Sequence, residues 1–149
     1  MEKVKFYDVD AIKDDKLMNV VIVARYNGKW VFVRHNEKTT WELAGGERMS
    51  GEKINETAAR KLFQQTRARK FTLYPICLYS VREQEAAVFG SVFYAHIEEI
   101  EKPSNSVTAL FDEIPESLTY QHTHPFIYER VLDMLSYKNE RVKITDLID

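Results

Sequence analysis

Gly45-Gly46, a third glycine at Gly51 and the run from Lys53 to Ala68 place two different backbone demands side by side. Glycine tolerates positive φ and close approach of other backbone. Ile54, Ala58, Ala59 and Leu62 instead recur at the three- and four-residue spacings of an amphipathic helix. A sharp loop must hand over directly to a helix, with Ser50 as its expected N-cap and the helix opening at about that residue. Glu52 then falls at the helix N-terminus, where the macrodipole favours negative charge.

The flanks have strand character. Val20-Val21-Ile22-Val23-Ala24, inside Asn19 to Tyr26, is a β-branched run typical of a buried strand. Asn27-Gly28, the residue pair best suited to a tight hairpin, joins it to Lys29 through Arg34. Val4 to Val9 alternates weakly and predicts a first strand, while Ile12 to Lys16 and His35 to Thr40 are polar loops. Beyond the helix, Thr72 to Val81 and Ala87 to Ile97 return to strand character around the charged turn Arg82-Glu83-Gln84-Glu85. Val107 to Phe111 predicts a short strand, and Pro115 to Leu118 a turn-rich connection. Ile127, Val131, Met134 and Leu135 give Phe126 to Tyr137 the spacing of a closing helix. This order predicts an α/β (α+β) chain, a single domain over residues 1–149, with a mixed β-sheet sandwiched between helices.

Composition serves mainly to exclude. The 21 basic and 23 acidic residues leave a formal charge of -2, which gives no footprint for general nucleic-acid binding. Cys77 is the only cysteine, so an internal disulfide or a zinc site built on several cysteines is ruled out, and its strand-like surroundings predict a packed thiol. The N-terminus lacks the apolar core of a signal peptide, and no apolar run reaches membrane-spanning length. A cytoplasmic location without a membrane partner is the expectation.

Gly46, five residues, Glu52, seven residues and Arg60 resemble the first half of the Nudix box, whose pattern continues Arg-Glu-aliphatic-x-Glu-Glu-x-Gly-aliphatic. Gly45, Gly51, Ala58, Ala59 and Leu62 match as well, and Trp41 stands upstream where the family often has an aromatic residue. The resemblance implies the Nudix fold, similar to the bacterial nucleoside triphosphate pyrophosphohydrolases. It also implies a nucleotide-like small molecule as ligand, Mg2+ or Mn2+ as cofactor activating water for attack on phosphorus, and often a homodimer. By the same resemblance, Glu52 and Arg60 are the catalytic-site residues that match, bracing the loop shaped by Gly45, Gly46 and Gly51. Glu56 to Arg60 is expected to be an i,i+4 ion pair.

The box then departs from its pattern. Lys61, Gln64 and Gln65 stand where the family has its three metal-binding glutamates, and all lie on one helix face. A glutamine carbonyl supplies no net charge, and Lys61 repels a cation. Glu56 lies about 140° around the helix from Lys61, at about 100° per residue, so it does not simply step in. Arg67 replaces the final glycine of the box. The favoured expectation is therefore a Nudix protein with impaired or lost hydrolysis that still binds a nucleotide-like ligand or a partner.

Two readings stand beside it. One is an active enzyme holding metal through Glu52, Glu56 and the loop acids Glu83 or Glu85, although a solvated hairpin turn is the simpler account of the last two. The other is a non-catalytic interaction module. His122 and His124 beside Pro125 fit a loop entering a helix better than a metal pair. Trp30, Trp41, Tyr79 and Phe93 are core or strand-face aromatics, with Trp41 also placed to line a base pocket.

Overall fold

The β-branched run becomes the centre of the sheet. In the computed structural model, which describes residues 4–35, 38–101 and 108–142, strand β2 (Leu17–Tyr26) is preceded by β1 (Lys5–Tyr7) and followed by β3 (Lys29–Val33) and β4 (Ala44–Glu47). Helix α1 (Ile54–Thr66) leads to β5 (Ala68–Glu83), β6 (Ala86–Ile100) and β7 (Thr108–Phe111), and α2 (His124–Val142) closes the order. Among the described residues the seven strands form one sheet in the order β1-β5-β6-β2-β3-β7, with β4 also paired to β2. Only β2 and β6 run parallel, so the sheet is mixed, as expected.

One edge of β2 is shared by two partners. Its last residues, Ala24 to Tyr26, pair with β3 through the Asn27-Gly28 turn, where both residues take positive φ. Its first half, Asn19 to Ile22, pairs with β4. The glycine pair is thereby built into the sheet itself.

Alternation along β2 assigns the two layers. Val20, Ile22 and Ala24 pack with Ala44, Ile54, Ala58, Leu62 and Phe93 on the α1 side. Val21 and Val23 pack with Phe32, Tyr94, Ile127, Val131 and Leu135 on the α2 side. Cys77, Trp30 and Tyr79 are buried in the α2 layer, and Phe93 in the α1 layer, as their strand positions predicted.

Three local expectations are corrected. Helix α1 opens at Ile54, not near Ser50, which lies in a turn. Glu52 closes that turn, its N–H donating to the Met49 carbonyl at 3.1 Å and its carboxylate accepting the Met49 N–H at 3.0 Å. The N-cap is Lys53, whose side chain has no acceptor to offer. Its N–H donates instead to Glu56 Oε1 at 2.8 Å, and Asp14 Oδ1 lies 3.4 Å from the Ile54 nitrogen. Glu56 is thus a capping residue, and the expected Glu56–Arg60 pair does not form; Arg60 turns to Glu52.

The helix also ends at Thr66, before Ala68, which starts β5. Arg67 adopts the left-handed conformation at φ 63° that a glycine would favour, its N–H donating to the Phe63 carbonyl at 2.9 Å. Its guanidinium bonds Glu101 at 2.8 Å and lies over the Phe63 ring, contacts that offset the backbone strain. Both later strands are longer than periodicity predicted, and their turn falls at Gln84-Glu85, two non-glycine residues at positive φ. Helix α2 starts at His124, two residues before the expected Phe126. Of the expectations above, Val107, residues 36 and 37 of the polar loop, and residues 1–3 lie outside the described residues.

Candidate functional site

Glu52 and Arg60 clamp the glycine loop to the helix. Arg60 Nε donates to Glu52 Oε2 at 2.5 Å and its Nη2 to Oε1 at 2.9 Å, a bidentate pair. The same Nη2 donates to the Glu47 carbonyl at 3.0 Å, tying the end of β4 into the pair. Thr57 Oγ1 adds a bond to Glu52 at 2.7 Å. The Arg60 guanidinium, the Met49 N–H and Thr57 hold the Glu52 carboxyl down at about 2, against a usual 4.5. Glu52 is accordingly an anion with its lone pairs committed to the loop.

The helix face that follows carries the departure from the box pattern. Gln65 clasps Gly45 from both sides: Oε1 accepts the Gly45 N–H and Nε2 donates to the Gly45 carbonyl, each at 2.9 Å. Gly45 itself is pressed against β2, where an added Cβ would stand 2.2 Å from the Val20 carbonyl oxygen. Lys61 lies along Gly46, whose added Cβ would meet Lys61 Cε at 2.6 Å and Nζ at 3.0 Å. Gly45 and Gly46 both have φ near +154°. At Gly45 both the backbone contact and the conformation require glycine, whereas at Gly46 the conformation alone does, since the end of Lys61 is free to shift. Gln64 is exposed and accepts a long 3.4 Å bond from Arg60.

Above β4 opens a cleft of about 890 Å³. Gly45, Gly46 and Glu47 line it together with Glu42, Arg82, Glu83 and His124. Glu83 therefore reaches the cleft. Glu56 does not: it lines a separate cavity of about 570 Å³ with Asp14, Ile12 and Leu73. Glu85 sits in the hairpin turn, and its carbonyl accepts a bond from Arg82 at 3.0 Å. The structure thus separates Glu52, Glu56 and Glu83, which the active-enzyme reading needs together. Trp41 packs on Phe111 and under Arg34 and is absent from the cleft lining.

Two further cleft residues, Glu42 and His124, are not among the site residues to which the sequence points. Glu42 is buried, with Oε1 3.3 Å from His35 Nε2 and Oε2 without a hydrogen-bond partner among the described residues. Its only sequence signal was an acid between Trp41 and Leu43. His124 is buried at the start of α2, its Nδ1 accepting the Leu43 N–H at 3.1 Å. Burial lowers it to about 4, so it is a neutral structural tether for the strand before the glycines. His122 is exposed and apart from the cleft lining, in keeping with its reading as loop.

These side chains do not fit the divalent ion implied by the resemblance. No three His, Cys, Asp or Glu residues among those described are grouped so as to hold a metal. At the three box positions stand an ammonium, an exposed amide and an amide saturated by Gly45. Hard cations select anionic and carbonyl oxygens, and a fixed positive charge beside Gly46 opposes their entry.

No protein-family model matches the chain. Over 128 residues, 83% of this chain and 80% of the relative, it is 28% identical to Bacillus subtilis YtkD, provisionally named an 8-oxo-dGTP diphosphatase. The crystal structure of the Bacillus subtilis pyrophosphohydrolase BsRppH superposes with a TM-score of 0.72 at 25% identity, covering 87% of this chain and 90% of that one. The NUDIX domain of Shewanella oneidensis NrtR, solved with ADP-ribose, shares the fold at a TM-score of 0.56 and 20% identity, over 87% and 94% of the two chains. The chain therefore has the fold of these Nudix proteins and is similar to them in its loop-to-helix turn, while the side chains at the three glutamate positions of the Nudix pattern differ.

Proposed function

We propose that this protein binds a nucleotide-like ligand carrying a diphosphate in the cleft beside Gly45 and Gly46, and that its metal-dependent hydrolysis is impaired or lost. The observation that carries the reading is the use made of the three box positions. Gln65 is consumed in holding Gly45, Lys61 lies on Gly46, and Gln64 faces solvent. Glu52 and Arg60 keep their bracing role, so the loop is preserved while the metal-ligating charge is gone. The clamp holds the end of β4, which lines the cleft, in a braced form, and that supports a formed binding site there.

The test pairs turnover with binding. A panel of nucleoside triphosphates, nucleoside diphosphates and ADP-ribose is incubated with Mg2+ and with Mn2+, and the same compounds are screened for a rise in thermal midpoint, which any ligand of the folded state produces by mass action. Stabilisation by at least one nucleotide without hydrolysis is the expected result. Rapid turnover abolished by Glu52→Gln would sink the impaired reading. No stabilisation by any nucleotide would sink the ligand reading and favour the interaction module.

A further inference from the structure

Among the described residues that line the cleft, Glu42 alone carries a buried polar atom without a hydrogen-bond partner, its Oε2. The backbone there is pinned to β3: the Glu42 N–H donates to the Val33 carbonyl and the Glu42 carbonyl accepts the Val33 N–H, each at 2.8 Å. Oε1 lies 3.3 Å from Nε2 of the exposed His35, so the carboxylate is only half satisfied. A carboxylate accepts on both oxygens and donates nothing, so the group that completes it must bring N–H or O–H donors. The last torsion of a glutamate is soft and two-fold, and rotation about it turns the open oxygen to the cleft while the stem stays in place. Tyr120 lines the same cleft, 49% exposed, with its ring 4.9 Å from that of His124. Burial and the Glu42 carboxylate both push the Tyr120 phenol up, so the two side chains are neighbours. Glu47 and Glu83 also line the cleft, with Arg82 as the cation among the lining residues. The uncharged base is the part of a nucleotide that meets such an acidic wall without Coulomb repulsion.

The geometry points to Glu42 as a specificity-determining residue that accepts paired N–H donors from the base of the ligand, with Tyr120 as the ring on which that base stacks, so that guanine nucleotides are preferred over adenine nucleotides. The inference rests on the cleft being a nucleotide site and deepens that reading by naming the base. Guanine presents a ring N–H and an amino group side by side, two parallel donors that match the two oxygens of a carboxylate. Adenine and cytosine each set a bare ring nitrogen beside the amino group, whose lone pair opposes the second oxygen. Uracil and thymine place one N–H between two carbonyls. Hypoxanthine keeps the ring N–H of guanine and lacks its amino group. A ligand without the paired donors leaves the buried carboxylate unsatisfied, which is the strongest basis a site has for rejecting an analogue.

Calorimetric titration with GDP, IDP and ADP, in EDTA and in excess Mg2+, tests this. The unaltered protein should bind GDP about tenfold or more tightly than ADP, the scale of one charge-assisted hydrogen bond, with IDP between them. Glu42→Gln should bring GDP down to the affinity of ADP and leave ADP little changed. Tyr120→Ala should weaken GDP and ADP alike, since stacking is indifferent to the edge of the base. Thermal midpoints show that the variants are folded, and where Glu42→Gln is not, the order of GDP, IDP and ADP on the unaltered protein decides. Equal affinity of the unaltered protein for GDP and ADP overturns the inference but leaves nucleotide binding standing. A preference for GDP that survives in folded Glu42→Gln, or an equal loss of GDP and ADP there, also overturns it. Unchanged affinities in Tyr120→Ala overturn the stacking assignment. Absence of binding by the unaltered protein in every condition removes both readings together.

Discussion

Restoring the family's glutamate at position 65 should damage this protein. Gln65 offers one acceptor and one donor, and Gly45 uses both, at 2.9 Å each. In Gln65→Glu the carboxylate still accepts the Gly45 N–H, but its second oxygen faces the Gly45 carbonyl with no hydrogen between them. The variant loses a hydrogen bond with a net value of about 1 kcal/mol and leaves a part-buried carbonyl unpaired at about 1–3 kcal/mol. A total of about 2 kcal/mol or more should lower the midpoint of a chain this size by about 4–8 °C.

The pH dependence distinguishes this cause from a generic packing defect. Protonation returns a donor to the side chain, so the folded-state pKa of the new carboxyl lies above its ordinary value of about 4.3. The deficit relative to the parent should be small below that value and complete above the raised one. Thermal unfolding of the parent, Gln65→Glu and Gln65→Ala in EDTA from pH 4 to pH 7 checks this. The glutamate variant should fall below the alanine variant near neutrality and rise above it in acid. A Gln65→Glu protein as stable as its parent at pH 7 without metal refutes the reasoning.

The Glu52–Arg60 clamp should also appear in the acid limb of stability. Glu52 has a folded value near 2 against 4.5, so its contribution is present above 4.5 and is lost as pH falls towards 2. The gap in thermal midpoint between the parent and Arg60→Ala should narrow over that window, and a gap that stays constant would contradict the assignment. Gly45→Ala should cost about 3 kcal/mol or more by denaturant unfolding, because its Cβ would displace β4 from the Val20 carbonyl. A cost below about 1 kcal/mol would show that the ladder yields there.

The elements legible in the sequence were those announced by local chemistry. Asn27-Gly28 specified its hairpin, the run at 20–24 its central strand, and the spacing of Ile54, Ala58 and Leu62 the buried face of α1. Arg60 is legible from its spacing, but its partner is not. Helical periodicity favoured Glu56, whereas the loop brings Glu52 back against the guanidinium and Glu56 is drawn to the open N–H of Lys53. The opening of α1 is hidden for the same reason, because a turn closed by Glu52 and a bond reached from Asp14 depend on contacts outside the helix.

Spacing along the chain is enough to specify a glycine loop that hands over to a helix, and residue identity is enough to show that Lys61, Gln64 and Gln65 leave that helix without the carboxylates of the Nudix pattern. Whether a position carries a carboxyl, an amide or an amine is fixed by residue identity, whatever the packing. Tertiary structure alone decided what the replacements do, with Gln65 spent on the Gly45 backbone, Lys61 left unpaired over Gly46, and Glu56 and Glu83 sent to different cavities. Those outcomes follow from the pairing of β4 with β2 and the seating of α1 beside it, contacts between segments far apart in the chain that no local pattern encodes.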